Sequence, residues 1–258
     1  MARLKIALCV PAHGMVHAKW VQCLTGMIAH TLRADLVDET GGRLDVELET
    51  FIVSSSMLCE SRHRLCAEAS LWGADYMVFL DADHVFPADI LCRLWSRGLD
   101  IVGVNYARRC EPTAPTAAAA GAADTLVYTT IDKADDGLVE EVAHLGFGMV
   151  LIRMSVFDRL QADAEARGQA SFMPLFVFEL KDDGMSMIGE DVYFFRKLRA
   201  AGIKVHLDHQ ASWEFGHLHE MIMTNAHAVV QADDWRASLR GFGARLTAKA
   251  AAINGETP

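Results

Sequence analysis

Short apolar runs alternate with stretches of helical periodicity along most of the chain. Leu4 to Val10 reads as a buried strand that Pro11 breaks, with Ala12-His13-Gly14 as its turn. Trp20, Leu24, Met27, Ile28 and Leu32 then recur at helical spacing. Val46, Leu48, Thr50 and Ile52 alternate with Glu47 and Glu49, the pattern of a strand with one exposed face. After Ser54-Ser55-Ser56 a helix is expected over 60–72, with Leu65, Ala69 and Trp72 inward. Tyr76 to Leu80 is apolar throughout and β-prone, as suits a fully buried strand. Pro87 fits the first turn of a helix running to Arg97 and stopped by Gly98. Asp100 to Asn105 is a further short strand. Strand and helix repeated in this way predict parallel strands joined by right-handed crossovers.

Regularity fails at Glu111 to Asp124, where two prolines and a run of small residues predict a mobile surface loop. Leu126 to Thr130 and Leu138 to Val142 read as a hairpin-like pair around Asp135-Asp136-Gly137. Gly146 to Arg153 is another strand, and Ser155, with Asp158 three residues on, is placed to cap a helix. A polar loop over 182–189 leads into a helix over 190–201, with Val192, Phe195 and Leu198 as its inner stripe and Gly202 as its stop. Lys204 to Leu207 is a last short strand, followed by a turn rich in histidine (His206, His209, His217, His219). The tail from Ala226 to Ile253 is helical, and Val230, Trp235, Leu239, Phe242 and Leu246 form its apolar stripe.

Composition narrows the class. At 258 residues the chain suits one large α/β domain with an appendage, divided as 1–220 and a helical extension over 221–258 that packs on the body or on a sister subunit. A formal charge of -10 weighs against a broad nucleic-acid surface. The N-terminal apolar run is too short for a secretory signal, and no segment reaches the length of a membrane span. Six cysteines without a Cys-x-x-Cys pair fit buried thiols in a reducing cytoplasm.

Candidate chemistry gathers at Asp81 and Asp83. A buried apolar strand that ends in two carboxylates spaced i, i+2 puts both at its carboxyl end, where open α/β sheets place their ligands. Both carboxylates can then face one cation with oxygen ligands, Mg²⁺ or Mn²⁺, that bridges to a diphosphate. His217 could complete such a site, and its imidazole suits Mn²⁺ better than Mg²⁺. Glu190-Asp191 opens a helix, where carboxylates are also favoured by the helix dipole. His13 and His17 have the histidine spacing of a zinc-protease helix but lack the glutamate after the first His. Gly-x-Gly-x-x-Gly, Walker and Gly-x-Ser-x-Gly motifs are absent.

Three segments together resemble glycosyltransferases of the GT-A fold, most like the family 2 group and its bacterial and phage relatives. They are Val78-Phe-Leu-Asp-Ala-Asp-His84, Gly146-Phe-Gly-Met-Val-Leu-Ile-Arg-Met-Ser-Val-Phe157, and the stretch from Gly189-Glu-Asp to His206 followed by Asp208 and His217. The resemblance spans roughly residues 4 to 220 and implies a Rossmann-like, mixed but mostly parallel sheet flanked by helices, with a C-terminal helical extension. It also implies roles. Pro11, Ala12 and His13 would line the nucleotide pocket, and Arg62 would lie near the nucleotide. Asp81 would lie nearer the ribose, while Asp83 with His217 would hold the metal. Arg108 or Arg109 would add positive charge at the phosphates. Asp191, with Glu190 as second candidate, would be the general base of an inverting transfer. The implied donor is a UDP- or GDP-sugar, and the acceptor a glycan, a lipid or a modified base in phage DNA. Retaining chemistry stays open through His217 and His219, and homo-oligomerisation through the C-terminal helices. Two other functions compete. One is a sugar-nucleotide nucleotidyltransferase, which would want a glycine-rich basic signature after the first strand. The other is a non-catalytic nucleotide-sugar-binding protein of the same fold.

Overall fold

The Tyr76–Leu80 strand is buried along its whole length because it lies third in an eight-stranded sheet with helices over both faces, as a computed structural model shows. The structure describes residues 2–38, 40–119, 125–169, 174–218 and 222–253.

Its elements in the first half are β1 (Ala2–Ala12), α1 (Ala18–Thr31), β2 (Leu44–Ser54), α2 (Leu58–Trp72), β3 (Tyr76–Leu80), β4 (His84–Val85), α3 (Ile90–Ser96), β5 (Ile101–Gly103), β6 (Ala118–Ala119) and α4 (Ile131–Asp135). There follow β7 (Val139–His144), β8 (Met149–Arg153), α5 (Ser155–Ala166), β9 (Glu179–Leu180), β10 (Met187–Ile188) and α6 (Glu190–Ala200). The chain continues through β11 (Val205–Asp208), α7 (His209–Trp213), β12 (Gly216–Leu218), β13 (Ile222–Met223), α8 (Asn225–Val230) and α9 (Ala232–Ile253).

The large sheet has the order β2-β1-β3-β8-β5-β11-β7-β6. β1, β2 and β3 run parallel, β8 is inserted antiparallel between β3 and β5, and β11 returns parallel to β5. β7 pairs antiparallel with both β11 and β6. The sheet is thus mixed, with β7 and β8 running against all the other strands.

Side-chain alternation along the strands divides the interior into two cores. Ala7, Cys9, Met77, Phe79, Val150 and Ile152 face α2, α5 and α6, where Leu65, Leu160, Phe194 and Leu198 meet them. Ile6, Leu8, Val78, Leu80, Met149 and Leu151 face α1 and α3, meeting Trp20, Met27, Leu91 and Leu94. Burial on both faces is why these strands read as unbroken apolar runs.

Several expectations need correction. β1 does not stop at Pro11 but runs to Ala12, paired with β2 as far as Ser54. β3 leaves β1 after Cys9, so Pro11 sits where the strand has a ladder on one side only and its missing N–H costs nothing. Residues 126–130 form no strand, and α4 occupies the turn to β7. Ser155 lies inside α5, whose N-cap Met154 makes no side-chain cap bond. Phe194, rather than Val192, joins Phe195 and Leu198 on the buried side of α6. The helix expected from Pro87 begins at Ile90. The expected surface loop is not on the surface in its described part, because Thr113, Ala114, Ala117 and Ala118 are buried; residues 120–124 lie outside the described residues. All six cysteines are free thiols. No described helix is long and apolar enough to cross a membrane.

The described start of the C-terminal extension packs on the body. Asn225 donates to the carbonyls of Asn105 and Ser212, at 2.8 and 2.7 Å. Thr113 N–H donates to Gln231 Oε1 at 2.7 Å, and the Arg108 guanidinium lies over the Trp235 ring.

Gly103 tests the tightness of the sheet. It lies in β5, paired on both sides, and an added Cβ would stand 2.8 Å from the Met149 carbonyl oxygen and 2.9 Å from Leu145 Cδ1. Gly103→Ala is expected to lower stability by about 1–3 kcal/mol in urea denaturation, since neither neighbouring strand can yield. An unchanged midpoint would show that the sheet relaxes there.

Candidate active site

β1 and β3 end side by side, so the residues after them share one edge of the sheet. β1 delivers Pro11 and Ala12, both buried, and then the exposed His13. β3 delivers Asp81, whose N–H donates to the Gly148 carbonyl at 3.2 Å, and then Asp83. This is the carboxyl-end edge at which α/β sheets bind ligands.

Beneath that edge lies Arg62, on the first turns of α2 and only 2% exposed. Its guanidinium reaches Asp81 Oδ1 at 3.0 Å through Nη2 and Glu190 Oε1 at 3.3 Å through Nε. It also lies over the rings of Phe147 (4.4 Å) and Phe79 (5.3 Å). Arg62 therefore does not face a nucleotide as a free cation. It joins the end of β3 to the start of α6. At Glu190 burial outweighs the attraction of Arg62, and the carboxyl is held above its usual range. Asp191, next in α6, is less buried, and its Oδ1 accepts from the Val192 N–H at 2.7 Å.

Asp83 belongs to a second group. His84 Nδ1 lies 3.0 Å from its Oδ1, His217 Nε2 3.4 Å from its Oδ2, and Arg109 Nη2 2.9 Å from the same Oδ2. Burial alone would raise the Asp83 carboxyl, but the neighbouring His217 and His84 imidazoles outweigh it and hold it well below the carboxylate range. The two imidazoles stack at 4.4 Å, and Tyr106 packs edge-on against both. The His217 Nδ1 position faces the Ala107 carbonyl at 2.9 Å, which orients the ring with Nε2 toward Asp83 Oδ2.

This group meets the requirements of a metal centre. Asp83, His84 and His217 offer ligand atoms within 4.8 Å of one another. The His84 Nδ1 contact with Asp83 is close but lacks hydrogen-bond geometry. Both His84 nitrogens and Asp83 Oδ1 are therefore buried with no hydrogen-bond partner among the described residues. Asp83 Oδ1 and one nitrogen of the neutral His84 ring, both orphaned and each able to donate a lone pair, suit a cation better than they suit one another.

Of the residues singled out in the sequence, Asp83 and His217 meet here, whereas Asp81 lies outside the cluster with one oxygen taken by Arg62. Of the two candidate arginines, Arg109 faces Asp83 and Arg108 turns to Trp235. His219 lies outside the described residues. Sequence reasoning missed His84 as a ligand. Its only signal was adjacency to Asp83, and the ring stacked on it, His217, lies more than a hundred positions away. The role of Gly146-Phe147-Gly148 was also missed. Phe147 is the floor beneath Arg62, and a Cβ on Gly148 would stand 2.9 Å from His84 Nε2 and 2.5 Å from the Tyr106 ring. A cavity of about 580 Å³ between α2 and α5, lined by His63, Cys66, Phe157 and Leu175, contains none of these residues.

Removing Arg62 isolates two carboxylates. Arg62→Met is expected to cost about 3–5 kcal/mol in urea denaturation, the usual consequence of breaking a buried ion pair from one side. Adding Glu190→Gln should recover part of that loss, because one stranded charge disappears. A double variant less stable than Arg62→Met would contradict the pairing.

No protein-family model matches the chain, and no curated protein does. Solved structures do. The viral protein A197 from STIV superposes with a TM-score of 0.52 at 15% identity, covering 84% of this chain and 86% of its own. The catalytic domain of Drosophila β1,4-galactosyltransferase 7, in complex with xylobiose, covers 84% of this chain and 71% of its own at 16% identity and a TM-score of 0.44. GalNAc-T7 with UDP, GalNAc and Mn²⁺ covers 84% of this chain and 44% of its own, at 12% identity and a TM-score of 0.46. The last two superpose loosely. At such identities the likeness is one of architecture alone: the chain shares the GT-A-like fold of A197.

Proposed function

We propose that the chain is a metal-dependent glycosyltransferase that moves a sugar from a UDP- or GDP-sugar to an acceptor hydroxyl. The observation that carries this reading is the Asp83–His84–His217 cluster, with its orphaned ligand atoms, at the end of a strand that Arg62 joins to the Glu190–Asp191 helix start. In this reading residues 1–220 are the transferase domain and 221–258 an extension bracing it.

Asp83, His84 and His217 would hold a divalent ion, and two imidazoles favour Mn²⁺ over Mg²⁺. Such an ion supplies positive charge that stabilises a diphosphate leaving group. Pro11, Ala12 and His13 line the nucleotide side, and Asp81, steadied by Arg62, accepts a hydrogen bond from the ribose. Arg109, half-exposed beside Asp83, supplies a second positive charge at the phosphates.

Asp191 is the general base. Glu190 is the weaker candidate because its carboxylate is occupied by Arg62. As the acceptor oxygen bonds to the anomeric carbon, the bond from that carbon to the diphosphate breaks. The hydroxyl proton passes to Asp191, and the electron pair leaves with the diphosphate. A single carboxylate acting as base is what an inverting transfer requires.

Two outcomes test this. With a panel of nucleotide sugars and Mn²⁺, Asp83→Ala is expected to lower donor hydrolysis on the order of a hundredfold or more. Metal-independent turnover would remove the metal assignment. Asp191→Asn should retain donor affinity in calorimetry while transfer falls roughly 10²–10⁴-fold. Undiminished transfer would exclude Asp191 as the base.

A further inference from the structure

Between α5 and the β9–β10 hairpin the chain passes beside α2, with no helix or strand of its own over 174–178. Two N–H groups there, those of Leu175 and Phe176, have no backbone carbonyl as partner among the described residues. Both donate instead to one ring nitrogen, Nε2 of His63 on α2, at 2.9 and 3.3 Å. The other nitrogen, Nδ1, lies 2.7 Å from the Cys59 carbonyl. A carbonyl only accepts, so Nδ1 carries the hydrogen and Nε2 the lone pair. The ring is therefore neutral, and its three partners fix its tautomer. It also meets the Phe176 ring edge-on at 5.2 Å. Phe176, only 1% exposed, stacks on Phe194 of α6 at 5.1 Å and packs against Phe79 and Phe147 at 5.6 Å. Phe147 is the ring beneath Arg62, so the segment that His63 holds lies one ring away from the buried ion pairs.

We propose that His63 is a pH-sensitive catch: its neutral ring holds residues 174–178 on α2, and protonation of the ring releases them. This goes beyond the transferase reading and does not depend on it. A charged imidazole has two donors and no acceptor, so a proton on Nε2 would face two N–H groups and end both bonds at once. The bond to Cys59 survives, which keeps the ring in place as the segment lets go. The hold is complete where the ring is neutral and is lost as the pH falls. The charged and titratable groups around the ring are Arg64 and Cys66 of its own helix and Asp158 of α5, which line the same cavity. Asp158 favours the charged ring and Arg64 opposes it, whereas burial pushes the Cys66 thiol up and keeps it neutral. Cys59, one turn earlier on α2, is likewise pushed up by burial. Arg62 is turned to Asp81 and Glu190, and the held segment presents only Leu175 and Phe176. Beyond it, Glu179 pairs with Arg196 at 2.8 Å, so the released chain stays tied to α6.

Hydrogen exchange on the full chain, followed by NMR, tests the catch without turnover. Protection factors of the Leu175 and Phe176 amides, corrected for the intrinsic pH dependence of exchange, are compared at pH 8 and pH 5, roughly the span over which imidazoles change charge. The Met77 and Val78 amides of β3 serve as the internal reference. The parent is expected to lose protection about tenfold or more at Leu175 and Phe176 in acid, the loss of two hydrogen bonds, with no comparable loss at β3. His63→Gln, whose amide oxygen accepts but takes no proton, should keep its protection within about twofold at both pH values. His63→Phe keeps the ring contact with Phe176 but has no acceptor, so its two amides should exchange at pH 8 as the parent's do at pH 5. Parent protection that does not change with pH would overturn the catch. So would a Gln variant that loses protection in acid as the parent does, or a Phe variant as protected as the parent at pH 8. An equal loss at Met77 and Val78 would overturn it too, since the change would then be global unfolding.

Discussion

A guanidinium buried between two carboxylates is the constraint on which the rest of this molecule turns. Removing Arg62 from water is costly, and the cost is met only because Asp81 and Glu190 arrive from separate elements to neutralise it while Phe147 and Phe79 close around it. Those two carboxylates come from the end of β3 and the start of α6, one on the nucleotide side and one on the acceptor side of the proposed site. Satisfying one buried charge therefore fixes the end of β3 relative to the start of α6. It also sorts the acidic residues: Asp81 and Glu190 are bound to Arg62, and their neighbours Asp83 and Asp191 are not.

The second group depends on close approach rather than on charge. His84 and His217 stack, Tyr106 closes the stack, and the chain passing at Gly146 and Gly148 lies too near for any side chain. The Gly-Phe-Gly string does two things at once. Its phenylalanine supports Arg62 on one face of the sheet, and its glycines admit the histidine cluster on the other. Arg108 and Arg109 are divided in the same way, one bracing the C-terminal extension and one facing Asp83.

Much of the fold was legible in the residues. Runs such as Tyr76–Leu80 and Gly146–Arg153 read as apolar strands, and the helical stripes of α1, α2 and α6 were visible, the last with its stop at Gly202. What misled was local chemistry overridden by context. Pro11 carries a strand-breaking signal, yet it lies where one ladder is missing. The small residues of 113–118 read as loop, yet small size is also what permits burial beneath the C-terminal extension.

The sequence by itself determined the layered α/β class, the carboxylates at the end of β3 and at the start of α6, and His217 as a candidate partner. These are one-dimensional facts, set by hydrophobic period and by residues adjacent in the chain. Only the tertiary structure decided that Asp81 belongs to Arg62 while Asp83 belongs to the imidazoles. It alone brought in His84 and separated Arg109 from Arg108. The reason is physical: the ligand-forming geometry of a side chain is set by what desolvates and neutralises it. Here those partners come from separate elements, Arg62 and Glu190 128 residues apart and Asp83 and His217 134 apart, joined by sheet order that no local pattern encodes.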